Sequence, residues 1–203
     1  MPGPILILTG PEEGPFLEAK LKACALDARV RRVYDRDGLI GEIAQKDYNQ
    51  SPTSRLIAFC TDVIVPAAIL NNFGGGAYNF HPASPDYPGS NAASFAIYDE
   101  VVLYGVTAHE MEASVDSGAI VGVETFAVPP GIRFMDLEIL AYQNLLNLFD
   151  RLAPQLVDTD NPLKILDLKW GQQKRTRKDF EQMQKVSDAM SEDEIRLRWR
   201  AFG

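Results

Sequence analysis

The feature that most limits the fold of this chain is a repeated switch between two hydrophobic periods across residues 4–80. PILIL (4–8), RVRRVYD (29–35), SRLIAFC (54–60) and AYNF (77–80) have the length and composition of buried strands. Helical patterns lie between them. PFLEAKLKACAL (15–26) puts Phe16, Leu17, Leu21, Cys24 and Ala25 on one stripe, with Pro15 tolerated at its start. GLIGEIAQK (38–46) is a weaker helix, and PAAILNNF (66–73) a short one, opened by Pro66 and ended by the glycines 74–76. Strands alternating with helices predict a parallel sheet with crossover helices.

The second half changes character. NAASFAIYD (91–99) predicts a short helix with Asn91 near its cap, and LYGVTAHEM (103–111) and AIVGVETFAV (119–128) predict two strands joined by EASVDSG. The stretch 134–156 is long and amphipathic, with Leu137, Leu140, Leu145, Leu148, Phe149 and Leu152 on its apolar face and Pro154 closing it. A polar, basic stretch follows, then a last helix, SEDEIRLRWRAF. The expected fold class is therefore α/β, with a mixed, mostly parallel sheet and a short C-terminal helical extension. The boundary candidate is VDTDNP (157–162), dividing a domain at 1–160 from an extension at 161–203.

Composition narrows the function classes. At 203 residues and 46% hydrophobic, the chain can bury a real core. Its formal net charge of −8 argues against an extended nucleic-acid or anionic-membrane surface, although KRTRK (174–178) is a local basic cluster. No segment has the length of a membrane span, and the start reads as a strand rather than a signal peptide. Two cysteines and two histidines give no zinc spacing and no disulfide framework, so no metal is expected and a reducing cytoplasm fits. TGPEEG after the first strand is not a dinucleotide fingerprint, and its glutamates would repel a pyrophosphate.

The chemistry concentrates in YNFHPASPDYPG (78–89). Asn79 and His81 are one strand period apart and leave the same face at a strand end, where open α/β sheets place ligands. His81 can act as acid or base near neutrality, and the Asn79 amide can donate to a developing oxyanion. Asp116, in a turn beside Gly118, can orient His81 and raise its pKa. His109 alternates with apolar residues and reads as a packed or hydrogen-bonded structural histidine.

NFHPASPDYPG followed by YGVTAHEMEASVDSGAIV resembles the formyltransferase family that uses 10-formyltetrahydrofolate. The family's Asn-x-His-Pro, Gly-Val-Thr-x-His and Val-Asp-x-Gly elements stand here in order, and the resemblance covers residues 56–128. It implies a Rossmann-like domain in which Asn79, His81 and Asp116 match the catalytic trio. An amine attacks the formyl carbon of the cosubstrate. Asn79 stabilises the oxyanion, while His81, held by Asp116 as an imidazolium, stabilises the intermediate and helps move protons. Two loops, Val63, Ile64, Val65 and Pro66 in one and Glu112, Ala113, Ser114 and Val115 in the other, are implied to hold the pterin.

The stretch from Lys169 to Phe202 is similar to the segment after the catalytic core of methionyl-tRNA and amino-sugar formyltransferases, which glycinamide ribonucleotide formyltransferases lack. The chain stops at Gly203, short of the barrel of the tRNA enzymes, and its acidity makes tRNA a poor acceptor. The expected acceptor is a small amine, a nucleotide-linked amino sugar, with Lys174, Arg175 and Arg177 on its phosphates. Arg175 and Arg177 would share one face of an extended segment. Many relatives carry an Arg where Pro88 stands, so the acceptor loop departs from the family pattern. A homodimer is compatible with this reading. Two rivals use the same residues: a 10-formyltetrahydrofolate hydrolase, with water replacing the amine, and a non-catalytic folate-binding module.

Overall fold

A computed structural model describes residues 3–44 and 48–203. Six strands form one sheet in the order β2-β1-β3-β4-β5-β6. β1 (Ile5–Leu8), β2 (Val30–Val33), β3 (Arg55–Phe59) and β4 (Ala77–His81) are mutually parallel. β5 (Leu103–Glu110) runs antiparallel to β4, and β6 (Ile120–Ala127) antiparallel to β5. The four parallel strands are those that the alternation of periods predicts, and the sheet is mixed and mostly parallel as expected. The chain winds from β1 outward to β2 and then back across to β3, which opens a crevice beyond the C-terminal strand ends.

Helices cover both faces. α1 (Glu13–Cys24), α4 (Ala92–Tyr98), α5 (Phe134–Val157) and α7 (Glu192–Phe202) share one core, while α2 (Arg36–Ala44) and α3 (Ala67–Leu70) cover a smaller one around Leu6, Leu8 and Leu56. No described helix is long and apolar enough to cross a membrane.

Three of the helices expected from the sequence differ in the structure. α1 buries Gly14, Leu17 and Leu21, whereas Phe16 and Cys24 are exposed. The helix is turned so that Gly14 meets Arg32 and Tyr34 of the neighbouring strand region, a close approach that a larger residue would resist. α2 starts at Arg36 because Asp35 accepts the Gly38 N–H at 2.7 Å as an N-cap. Its expected last residues, Gln45 and Lys46, lie outside the described residues.

Third, α5 does not stop at Pro154 but runs to Val157. A distant side chain explains this. Arg55 on β3 is fully buried, and its Nη1 donates to Gln155 O at 2.8 Å and Leu156 O at 2.9 Å. Nη2 donates to Asn161 O at 2.8 Å and Nε to Gly75 O at 2.9 Å. A cation placed at the carbonyl end of a helix satisfies its orphan acceptors and its dipole, so the last turn persists beyond the proline.

The C-terminal stretch adds α6 (Arg177–Met183), not expected from the sequence, and α7. Thr176 and Asp179 form a capping box that starts α6, with Thr176 Oγ1 accepting the Asp179 N–H and the Asp179 carboxylate accepting the Thr176 N–H. Phe202 packs edge-on against Phe95 (5.2 Å between ring centroids) and Phe180 (5.6 Å), which fixes α7 on α4 and α6.

Candidate active site

Asn79 and His81 leave the same face of β4, as the strand period requires. The antiparallel register sets His109 directly opposite Asn79 and Thr107 opposite His81. A register shift between β5 and β6 falls between Ala108 and His109, a bulge of the kind that re-aims a side chain. Asp116 sits in the loop after β5 with φ 47°, a left-handed conformation that aspartate tolerates better than most residues.

These elements converge. Asp116 Oδ2 lies 3.7 Å from His81 Nε2, and Oδ1 lies 3.5 Å from His109 Nε2. Asp116 Oδ2 also accepts the Gly89 N–H at 2.8 Å. Gly89 has φ +100°, and a Cβ there would come 2.2 Å from Arg175 O, so only glycine fits. His109 Nδ1 lies 2.7 Å from Glu110 O, a pure acceptor, so Nδ1 carries a proton. With the proton on Nδ1, Nε2 is the acceptor, and the Asn79 Nδ2–H donates to it across 3.1 Å. That bond orients the amide and leaves its second N–H for a ligand.

His109 is therefore more than a packing residue: it touches both Asn79 and Asp116. The sequence signal that could have found it is the register of an antiparallel partner for β4, with two polar residues facing one another.

Burial lowers the pKa of His81, outweighing the nearby Asp116 carboxylate, which raises it. His81 is thus a neutral imidazole near neutrality, contrary to the imidazolium expected from its carboxylate partner. Its Nε2 faces two acceptors, Asp116 and the Tyr87 carbonyl at 3.5 Å, so Nε2 holds the proton and Nδ1 is the basic nitrogen. Burial alone would raise the Asp116 carboxyl. Against that stand the two imidazole rings beside it, His109 and His81, and the Gly89 N–H, which together hold it at about 2.

Two cavities meet at His81. One, of about 510 Å³, is walled by Thr61–Val65, Glu112–Asp116, Asn79, His109 and the segment Lys174–Arg177. The other, of about 490 Å³, is walled by Cys60, Ala92, Ala93, Met135, Ile139 and Tyr142, with Glu138 as its charged residue. His81 and Gly89 line both. Desolvation by the surrounding wall, with Glu13 nearby, pushes the Cys60 thiol up to about 12, although the residue itself is exposed. Among the described residues, no cluster of His, Cys, Asp and Glu could hold a metal ion.

Of the residues expected to bind, Val63, Ile64 and Val65 face Glu112, Ala113, Ser114 and Val115 across the first cavity. Pro66 stands just outside that wall, as the N-cap of α3. The basic cluster lies on this same cavity, not on the second. Arg175 and Arg177 do not share an extended face, because residue 177 opens α6. The Arg175 guanidinium stacks over Phe95 at 4.6 Å, and Arg177 pairs with Glu181 at 3.1 Å. Lys174 Nζ donates to Val115 O.

Comparison with known proteins gives three kinds of result. No curated protein sequence matches. Among solved structures, a sugar N-formyltransferase from a Shewanella species superposes with a TM-score of 0.76 at 18% identity, over 97% of this chain and 86% of the other. An N-formyltransferase from Helicobacter canadensis, in complex with folinic acid and dTDP-3-aminofucose, gives 0.74 at 17% identity, over 100% and 81%. The formyltransferase PseJ from Anoxybacillus kamchatkensis, in complex with UDP-4,6-dideoxy-4-formamido-L-AltNAc and tetrahydrofolate, gives 0.72 at 20% identity, over 92% and 93%. These likenesses establish a shared fold. The family model for formyl transferase matches residues 34–138, just over half of the chain. Because that match runs through both the strand of Asn79 and His81 and the turn of Asp116, the chain belongs to the formyl transferase family.

Proposed function

We propose that this protein transfers the formyl group of 10-formyltetrahydrofolate to the amine of a small acceptor, a nucleotide-linked amino sugar. The observation that carries this reading is the position of His81, in the wall shared by two cavities and backed by Asp116. Each cavity is of a size to hold one small-molecule substrate. The folate fits the cavity between Thr61–Val65 and Glu112–Asp116, and the amine fits the more apolar one against Met135, Ile139 and Tyr142. That second lining contains no Lys or Arg, so the acceptor's phosphates would lie beyond its mouth. Two similar structures hold a folate together with a nucleotide-linked sugar, which supports the pairing.

In this mechanism the amine nitrogen bonds to the formyl carbon while charge develops on the formyl oxygen. The free N–H of the Asn79 amide is the donor for that oxygen. His81 Nδ1 accepts the proton of the attacking amine, and Asp116 stabilises the imidazolium so formed. The carbon–N10 bond then breaks, and the proton passes to N10, leaving tetrahydrofolate and the formamide. His109 holds the Asn79 amide and the Asp116 carboxylate in register.

Incubation with 10-formyltetrahydrofolate and a panel of amines tests the reading. Tetrahydrofolate release should depend on an acceptor and match formamide formation. Equal release of tetrahydrofolate and formate without any amine would replace transfer by hydrolysis. The position of the basic cluster adds an expectation. Lys174 and Arg177 border the folate cavity, where they suit the carboxylates of the folate's glutamate end. Arg177→Ala should therefore weaken folate binding a few-fold at low salt and less at high salt. A change confined to acceptor KM would return the cluster to the acceptor.

A further inference from the structure

We propose that Trp170 is a positioning residue of this site, the anchor of a strap, residues 170–175, that holds the reacting groups in place and keeps water from them. The proposal rests on the assignment of His81 and Asp116 to the chemistry.

Trp170 belongs to no helix or strand, and the segment before it carries no periodic pattern. Yet its indole stands edge-to-face with both histidines. Its centroid is 4.9 Å from that of His109, at 89°, and 6.1 Å from that of His81, at 61°. Its Nε1–H donates to Gly118 O at 2.8 Å, two residues beyond Asp116. One side chain therefore touches both rings and the turn that carries their carboxylate.

The backbone after Trp170 is fastened to the opposite wall. Gly171 N donates to Pro85 O at 2.9 Å, and a Cβ on Gly171 would come 2.4 Å from Asp86 O. Arg175 N donates to Pro88 O at 3.1 Å, and Ser90 N donates to Arg175 O at 3.0 Å. These two bonds clamp Gly89, whose own N–H reaches Asp116 Oδ2. The strap thus bridges the loop after His81 and the loop of Asp116, and both of its ends lead to that carboxylate.

The physical consequence is twofold. Reacting groups held by opposed anchors keep the geometry on which rate depends steeply. An indole laid against the imidazoles also excludes water from them, in line with the burial that lowers the His81 pKa.

Two measurements test this. Trp199, which is 65% exposed and remote from the cluster, can be removed as Trp199→Phe, leaving Trp170 as the sole indole. Emission of that protein should fall reversibly as pH drops below the ordinary histidine value toward the depressed one of His81, because an imidazolium quenches an adjacent indole. Adding His81→Asn should remove that titration. Emission independent of pH would overturn the contact, and this readout needs no turnover.

The second measurement is kinetic. Trp170→Ala should lower kcat by about tenfold to a hundredfold, with a smaller change in the KM for the formyl donor. The His81 inflection in its pH profile should move upward as water reaches the ring. Trp170→Phe, which keeps an aromatic cover, should recover most of the rate and of the inflection. A Trp170→Ala protein with unmoved kcat and inflection would reduce the indole to packing and overturn the proposal. Absence of turnover in the unmodified protein, with the emission titration intact, would instead sink the formyl-transfer reading and leave the strap standing.

Discussion

His81→Asn should lower kcat by roughly two to four orders of magnitude, the range supplied by a positioned acid or base. The folded protein should survive the change. His81 is partly buried and neutral, so its loss removes a group that folding keeps from its proton. Asp116→Asn should also be inactive, but with a second signature. The Asp116 carboxyl, held at about 2, contributes stability that is present above the ordinary aspartate pKa of about 4 and is lost as pH falls through about 2. His81 acts in a different window: its depressed pKa means that stability declines as pH falls from the free-imidazole value toward the folded one. Acid titration of the two variants should therefore remove two separate parts of the unfolding curve. Turnover by His81→Asn within tenfold of the parent would be incompatible with a proton-transfer role.

Arg55→Leu should be the most destabilising single change in the sheet. It strips hydrogen bonds from the carbonyls of Gly75, Gln155, Leu156 and Asn161 at once, of which the bond to Leu156 O is buried and the others partly so. Leaving one buried and several partly buried acceptors unpaired costs roughly 3–5 kcal/mol. For a domain of this size that is a fall in Tm of about 10 °C or more. The guanidinium also stacks over Tyr78 at 5.2 Å, a contact that leucine keeps only in part. Burial lowers the Arg55 pKa, and the nearby Tyr78 and Asp158 partly offset that cost. Arg55→Lys keeps a charge without the planar fork and should recover a minor share. Urea unfolding checks both variants, and a midpoint for Arg55→Leu equal to that of the parent would show that the helix end is secured by other means.

What could be read from the sequence and what could not divide along the range of the interactions. The first four strands and the pairing of Asn79 with His81 follow from local periods of hydrophobicity, and the structure repeats them. The turn between two strands makes Asp116 a candidate partner for His81, and the motif resemblance gives it a role. The alternation around His109 predicts a packed or hydrogen-bonded histidine but not its partners, because Asn79 and Asp116 are brought to it by an antiparallel register and a bulge. α6 was hidden because its cap, Thr176 with Asp179, is embedded in a basic run that suggested an extended strand. The end of α5 depends on a guanidinium 100 residues away, at Gln155 O. Neither the two cavities nor the contact of Trp170 with both histidines has any sequence-local counterpart.

The backbone bonds of Gly171 and Arg175 also bear on how the protein is made. Synthesis proceeds from the N-terminus, and early elements fold as they emerge. All six strands are translated once Ala127 has been added, so the sheet with its two histidines can close while the ribosome is still at work. The loops at Pro85–Ser90 and Gly118 do not receive their partners until Trp170 to Arg175 have left the exit tunnel. Nascent chains arrested between those points would carry every residue of the trio and still lack the strap that sets them in place. Catalytic competence would then appear late and abruptly, as a property of chain length rather than of the sheet.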